Sequence, residues 1–264
     1  MNIEYDIQNS IAVLRVNRPA ARNAFDWAAQ ERFAELITIT AADKSLRALI
    51  VTGTGDKAFA AGADLKQLAN HPEAAAGRRL TSIMKPALQQ MAALPFPVIA
   101  AINGDALGGG CEILTACDLR IAAPHARLGF VQVRNALPTG WGGAYRLVQI
   151  VGADRAMELM LTARIMSADD AQAIGLVHRV APVGVDVREV AMAWAEEVTF
   201  WSKGALTAVK SLIHTAAIAP AAETNALEAD LFTDLWPQPD HLEAVAAFVE
   251  KRAPHFNGEL RMDN

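Results

Sequence analysis

Cysteine is scarce in this sequence, which bears on disulfides and metal centres. The 264 residues include two cysteines, Cys111 and Cys117, both on one predicted helix. No Cys-x-x-Cys pair or histidine cluster accompanies them. Paired thiols and Cys/His clusters are the usual signs of structural disulfides and metal sites. We therefore expect a reducing compartment and no bound metal.

Long apolar runs and basic runs are also missing. No apolar stretch reaches the ~20 residues that span a bilayer. Residues 1–6 are acidic and lack the apolar core of a signal peptide. The formal net charge is −5, and no cluster of lysines and arginines favours nucleic acid or anionic lipid. The sequence predicts a cytoplasmic protein that contacts neither membranes nor nucleic acid.

Apolar strands alternate with helical segments through most of the chain. Residues 11–16 alternate in polarity, and residues 47–53 form the continuous apolar run typical of a strand buried in a parallel sheet. A helix is predicted to open at Asn23 and run to about residue 40. From about residue 154 the pattern becomes mostly helical, with one short strand at residues 176–180 and later helices at residues 203–217, 221–235 and 238–251. This order favours an α/β fold. We place an organisational boundary near residue 200, giving a core of residues 1–200 and a helical region of residues 201–264.

A run of three glycines at residues 108–110 is the most informative stretch. An apolar strand, residues 97–103, precedes it, and a helix is predicted to follow. Glycines let a ligand approach the backbone closely, and the N–H groups of a first helical turn have no intrahelical partner. Such groups stabilise a developing negative charge. Glu112 follows within that turn, so the stretch predicts an anion-stabilising turn beside an acid/base.

Taken alone, the glycine run is equally consistent with a flexible loop. It is neither a P-loop nor a G-x-G-x-x-G motif, since the required lysine and glycine spacing are missing. A second unit of strand, glycine-containing turn and helix surrounds Gly62, after the predicted strand at residues 47–53. Two such turns in one chain favour the active-site interpretation.

With both turns in view, the chain resembles the enoyl-CoA hydratase/isomerase family, or crotonase superfamily. The resemblance implies a spiral of repeated ββα units with a C-terminal helical region that forms trimers, commonly paired into hexamers. It covers nearly the whole chain in the family's order. The matching stretches are residues 17–24, 58–66, 97–112, 165–180 and 248–252.

The resemblance also implies roles for individual residues. In the family, two backbone N–H groups bind the thioester oxygen of an acyl-CoA as it becomes an enolate, and here these correspond to Ala63 and Gly109. Phe248 and Lys251 resemble a pair that reaches the CoA nucleotide of a neighbouring subunit, although a core phenylalanine and a solvated lysine are equally open. Coenzyme A arrives with the substrate, so no separate cofactor is expected. The other CoA contacts fall on Arg22, Ala24, Ala61, Asp64 and Leu65.

One departure from the family pattern concerns the second catalytic carboxylate. Hydratases of this family use two glutamates, and Glu112 matches the first of them. The second position falls on Gln132. An amide forms hydrogen bonds but exchanges no proton near neutral pH. Because syn addition of water needs a base for water and an acid for the α-carbon, the chain lacks half of the usual apparatus.

The stretch 132–143 resembles the ethylmalonyl-CoA decarboxylase group more closely, with Leu137 and Trp141 as substrate-pocket residues. Loss of CO₂ generates the enolate directly, so one later proton donor is enough. Arg134 and Asn135 are near enough in sequence to contact a substrate carboxylate, although Arg134 is equally consistent with a surface position.

Three hypotheses stay open. The first is an acyl-CoA lyase of the hydratase/isomerase type with one clear catalytic glutamate. The second is a decarboxylase of ethylmalonyl-CoA or methylmalonyl-CoA, and the third is a weakly active CoA-binding interaction protein. Intact Glu112 and both glycine turns argue against the third. The acyl chain length is not predicted, because the segment 67–93 that would set it has the least motif content.

Overall fold

The computed structural model describes residues 2–256. The chain divides into two compact units, of which the first ends at Ala195 and the second begins at Glu196. The functional division predicted at residue 200, a site-bearing core followed by an oligomerisation region, stays a prediction.

The first unit combines short strands with helices. Its strands are β1 (Ile3–Gln8), β2 (Ile11–Val16), β3 (Ala48–Gly53), β4 (Ala58–Ala60), β5 (Val98–Ile102), β6 (Asp105–Leu107), β7 (Leu119–Ala122), β8 (Arg127–Gly129), β9 (Met166–Ser167) and β10 (Arg179–Val180). Its helices are α1 (Trp27–Ala42), α2 (Leu65–Leu68), α3 (Ala74–Ala92), α4 (Gly109–Thr115), α5 (Gly143–Val151), α6 (Ala153–Thr162) and α7 (Ala168–Ala173). Short 3₁₀ helices cover Pro19–Ala21 and Gln132–Asn135.

Helices alone make up the rest of the described chain. Helix α8 (Val187–Thr199) begins in the first unit and ends in the second. It is followed by α9 (Lys203–Ala216), α10 (Ala221–Leu235) and α11 (Pro239–Glu250). The predicted change to a helical pattern in the last part of the chain is confirmed.

The strands form two sheets. The larger sheet has the order β1-β2-β3-β5-β7-β10 and is parallel except for the β1–β2 pair. The smaller sheet has the order β4-β6-β8-β9, with β8 and β9 antiparallel. In the pairs β3–β4, β5–β6 and β7–β8, the first strand joins the larger sheet and the second joins the smaller one. A helical segment follows each pair, which confirms the predicted α/β fold of repeated ββα units.

The structure differs from the sequence prediction in the smaller sheet and in the bounds of two other elements. The strand predicted at residues 97–103 was expected to run directly into the glycine turn, but β6 lies between them. The helix expected to open at Asn23 begins at Trp27, because Asp26 caps it by accepting the N–H of Ala29 at 2.8 Å. The strand predicted at residues 176–180 is shortened to β10. Strands of two or three residues are too short to show a periodicity.

A buried asparagine fixes the passage from the larger sheet to the smaller one. The side-chain oxygen of Asn103 accepts the N–H of Gly53 at 2.9 Å. Its amide nitrogen donates to the carbonyl oxygens of Gly55 at 2.9 Å and Ala58 at 3.1 Å. Buried backbone polar groups need partners, and this side chain supplies them at the β3–β4 turn. The strand that leads to Gly62 is thereby held beside the strand that leads to the glycine run.

Candidate active site

The Glu112 carboxylate lies at the centre of a ring of N–H donors. Its side chain is buried in the first turn of α4, with 2 % of the residue exposed. One oxygen, Oε2, accepts the N–H groups of Trp141 at 2.7 Å and Gly143 at 2.9 Å. The other, Oε1, accepts the N–H of Gly140 at 3.2 Å and the side-chain amide of Gln132 at 3.0 Å. A carboxylate offers about four lone-pair sites, and all of them are used here.

Gln132 acts as a donor in this arrangement. It lies in the second 3₁₀ helix, in direct contact with Glu112. An ionised carboxylate only accepts hydrogen bonds, so the amide nitrogen of Gln132 faces it. The structure thus brings together the two side chains that the sequence paired.

The turn at residues 140–143 contributes backbone groups that the sequence analysis missed. Trp141 was predicted as a substrate-pocket residue, and its ring is 2 % exposed, packed edge-on against Phe25 at a centroid distance of 5.8 Å. Its backbone N–H is what reaches Glu112. Leu137, predicted for the same pocket, is 60 % exposed in the loop before the turn. The Trp-Gly-Gly sequence was the available signal, since glycines permit a tight turn around a carboxylate.

The glycine run permits close packing inside the protein. A Cβ on Gly109 would lie 2.5 Å from the Trp141 ring, and one on Gly110 would lie 2.0 Å from the carbonyl oxygen of Ala60. The missing side chains therefore make room for close packing within the protein. Gly108 provides the turn itself, with φ of +54°.

The two glycine turns meet at the backbone of Gly109. Gly62 has φ of +87°, and a Cβ on it would lie 2.8 Å from the Gly109 nitrogen. Within residues 2–256, neither the N–H of Ala63 nor that of Gly109 donates a hydrogen bond to another residue. Fixed N–H groups that are free to donate to a ligand suit the stabilisation of an oxyanion.

Segments 22–25 and 61–64 lie side by side next to this position. The N–H of Ala61 donates to the carbonyl of Arg22 at 3.1 Å, and the N–H of Asp64 donates to that of Phe25 at 3.0 Å. The structure therefore brings together five of the residues predicted to contact CoA. They are Arg22, Ala24, Ala61, Asp64 and Leu65.

Ion pairs hold the charged side chains of these segments. Arg18 lies between Asp26 at 3.0 Å and Asp64 at 3.1 Å. The Arg22 guanidinium, 49 % exposed, contacts the buried carboxylate of Asp105 at 2.5 Å. Asp105 also accepts a hydrogen bond from Arg127, which raises the pKa of that arginine. Arg22 is thus oriented by Asp105 while the rest of its guanidinium faces solvent.

Phe248 and Lys251 belong to the second unit. Phe248 lies near the end of α11 and is 85 % exposed, and Lys251 follows the helix as its left-handed cap, with φ of +57°. Their predicted contact with the CoA of a neighbouring subunit stays a prediction.

Other chemistry has little support in the described part of the chain. The Cys111 thiol donates to the carbonyl oxygen of Ala106 at 2.9 Å, and burial raises the pKa of this thiol, so it stays protonated. Among residues 2–256, no group of three or more acidic, histidine or cysteine side chains is arranged to hold a metal ion. No helix in that range combines the length and the apolar character needed to cross a membrane.

Comparisons with known proteins agree with this geometry. The enoyl-CoA hydratase/isomerase family model matches residues 6–259. A probable enoyl-CoA hydratase of Mycobacterium bovis is 37 % identical over 246 residues, covering 93 % of this chain and 94 % of that protein. The crotonyl-CoA hydratase of Syntrophomonas wolfei is 36 % identical over 260 residues, covering 97 % of each.

A solved structure of a similar protein has the same fold over nearly the whole chain. The enoyl-CoA hydratase of Bacillus anthracis superposes with a TM-score of 0.93 at 36 % identity, covering 98 % of this chain and 100 % of that one. The fold is therefore the crotonase fold. The chain belongs to the enoyl-CoA hydratase/isomerase family.

Proposed function

We propose that this protein is a CoA-thioester lyase that forms and stabilises the enolate of an acyl-CoA. The N–H groups of Ala63 and Gly109 bind the thioester oxygen as it gains charge, and Glu112 transfers the proton at the acyl chain. The observation that carries the proposal is the buried Glu112 carboxylate on the same short helix that begins at Gly109. Losing one donor of such an oxyanion hole typically costs about 3–4 kcal/mol, or 10²–10³ in rate.

Glu112 is the one proton carrier in this proposal. Its four hydrogen-bond positions are filled in the structure, so one donor has to give way before the carboxylate can accept a proton. Three of the donors are backbone groups of a tight turn. The fourth is the Gln132 side chain, which rotates about its own bonds, so we expect this amide to be the donor that gives way.

A single carboxylate supports reactions in which one proton moves within the substrate complex. In hydration, Glu112 would take a proton from water and deliver it to the α-carbon while Gln132 orients the water. In double-bond isomerisation, Glu112 would move a proton from the γ-carbon to the α-carbon. The names of the relatives, which include a crotonyl-CoA hydratase, favour hydration as the common activity of the group.

Decarboxylation of an alkylmalonyl-CoA is the second candidate, and the amide at position 132 favours it. Loss of CO₂ leaves the electron pair on the thioester enolate, which the two N–H groups would stabilise. Glu112 in its protonated form would then protonate the α-carbon. No second carboxylate is needed, in agreement with the pairing of Glu112 with Gln132 at 3.0 Å.

Parallel assays distinguish these reactions. Crotonyl-CoA hydration is followed by loss of the conjugated enoyl absorbance, and CO₂ release is followed from ethylmalonyl-CoA and methylmalonyl-CoA. Glu112→Gln should lower whichever reaction the wild type performs by about 10²–10⁴-fold. The exposed Glu35→Gln on α1 is the matched control and should leave it unchanged. Unaltered turnover in Glu112→Gln would contradict the assignment of the proton carrier, and CoA binding without any turnover would favour the interaction-protein hypothesis.

Assembly as a homotrimer or homohexamer is part of the proposal. Large apolar side chains of the second unit are exposed in the single chain, among them Ile213 at 62 %, Phe232 at 64 % and Val249 at 73 %. Apolar faces of this kind are commonly covered by another subunit. A cytoplasmic location and the absence of a cofactor other than substrate-borne CoA stay predictions.

A further inference from the structure

The turn at residues 140–143 binds Glu112 through its backbone, so something has to hold the turn itself. Arg146, in the first turn of α5, is placed to do so. Its Nη2 donates to the carbonyl oxygens of Trp141 at 2.9 Å and of Glu112 at 3.2 Å. Its Nε donates to the hydroxyl of Thr115 at 3.2 Å. One guanidinium therefore ties the helix that carries Glu112 to the turn that surrounds its carboxylate.

The partners of Arg146 are all neutral oxygens, which is unusual for a half-buried arginine. Burying a charged group without a charged partner is costly. Burial lowers the pKa of Arg146, and the nearby Glu112 carboxylate opposes that effect. The guanidinium thus donates hydrogen bonds to three neutral oxygens, while the negative charge of Glu112 partly offsets the cost of burying the positive charge of Arg146.

We propose that Arg146 is a positioning residue that keeps the Glu112 carboxylate in register with its backbone donors. It acts through Glu112 and the Trp141 backbone and does not touch the substrate. Because Trp141 binds Arg146 through its carbonyl and Glu112 through its N–H, loss of the arginine removes one of the two bonds that fix the Trp141 backbone and leaves it free to shift. This inference rests on the proposed role of Glu112 as the proton carrier.

The expected signature is a fall in kcat without a matching change in KM. Misplacement of a catalytic group by about 1 Å commonly costs on the order of 10²-fold in rate. We expect Arg146→Ala to lower kcat by about 10²-fold in the reaction that the wild type performs. KM should change by less than roughly threefold. Added guanidinium or methylguanidinium should restore part of the lost kcat by entering the space that the side chain vacates. Arg146→Lys should be intermediate, since an ammonium keeps the charge but lacks the planar fork.

The experiment measures kcat, KM and the thermal midpoint for these variants, with exposed Arg155→Ala on α6 as the matched control. The proposal would be overturned if Arg146→Ala kept the wild-type kcat. It would also be overturned if added guanidinium did not restore the kcat of Arg146→Ala and the Arg146→Lys variant had a kcat as low as that of Arg146→Ala. If Arg146→Ala does not fold, the kcat of Arg146→Lys decides, and an unchanged value counts against positioning. Glu112→Gln separates the two claims: full turnover there refutes the proposed function, whereas inactive Glu112→Gln beside fully active Arg146→Ala refutes only the role of Arg146.

Discussion

At the scale of single residues, the amide at position 132 limits what the Glu112 carboxylate can do. Its nitrogen lies 3.0 Å from Oε1, where the second carboxylate of a two-glutamate hydratase would approach. A glutamate there would bring two negative charges together, and such pairs share a proton or bind water between them. We therefore expect the identity of residue 132 to decide whether a second carboxylate takes part in proton transfer at this site.

Gln132→Glu tests this limit. We expect the variant to gain crotonyl-CoA hydration, by at most about 10²–10⁴-fold, the usual contribution of a positioned acid/base. CO₂ release from ethylmalonyl-CoA should fall in the same variant. The comparison uses both assays at equal enzyme concentration, with the exposed Gln89→Glu on α3 as the control for added charge.

Rapid hydration by the wild type would lead to a different conclusion. Either Glu112 alone would then perform both proton transfers or another group would supply the second, and the decarboxylase candidate would lose its main support. If Gln132→Glu hydrated crotonyl-CoA and released CO₂ at the wild-type rates, residue 132 would not select the reaction.

The sequence predicted the side chains of the site better than its backbone. Glu112 followed from the glycine run and Gln132 from the family spacing, because side chains are visible in a sequence. The N–H donors of Gly140 and Gly143 and the link through Arg146 were missed. Every residue but proline carries a backbone N–H, so only the fold shows which ones face a carboxylate.

At the scale of secondary structure elements, α4 depends on a close approach to β4. Gly110 in the first turn of the helix faces the carbonyl oxygen of Ala60, and a Cβ would lie 2.0 Å from that oxygen. Because the obstacle is backbone, neither a rotamer change nor a small side-chain shift relieves the clash. The helix therefore has to move if Gly110 gains a side chain, and Glu112 moves with it.

Gly110→Ala should accordingly lower both stability and activity. Overpacking of this kind typically costs about 1–3 kcal/mol, and we expect the upper end. Gly77→Ala on α3 is the matched control, since a Cβ at Gly77 meets no atom within 4 Å. This substitution should stabilise the helix by ~0.5–1 kcal/mol. Thermal unfolding at equal subunit concentration measures the difference. Equal midpoints and equal turnover for the two variants would contradict the packing of α4 on β4.

How well an element was predicted depended on its length. Strands β2 and β3 and the helices α9 to α11 were predicted within a few residues, because each is long enough to show a period. The three-residue strands β4, β6 and β8 show none, so the smaller sheet was invisible. Its existence follows from tertiary pairing and from bonds such as those of Asn103.

At the scale of the whole molecule, the helices of the second unit point to assembly. Phe232 on α10 and Trp236, the residue that caps the end of that helix, have their rings tilted against each other at a centroid distance of 5.3 Å, and both are more than half exposed. Light scattering should give three or six times the mass of one chain. Phe232→Glu should shift the assembly toward smaller species, whereas Val183→Glu, at a 90 % exposed position of the first unit, should not. A wild-type monomer at micromolar concentration would contradict the predicted oligomer.

The proposed function requires the protein to form a thioester enolate with Glu112 as the proton carrier. Exchange of the α-hydrogens of butyryl-CoA in D₂O tests it most directly, because exchange requires the enolate and no later chemical step. We expect the wild type to incorporate deuterium, as measured by mass spectrometry, and we expect Glu112→Gln to lower the rate of incorporation by about 10²–10⁴-fold. Incorporation no faster than in buffer, or equally fast in Glu112→Gln, would contradict it.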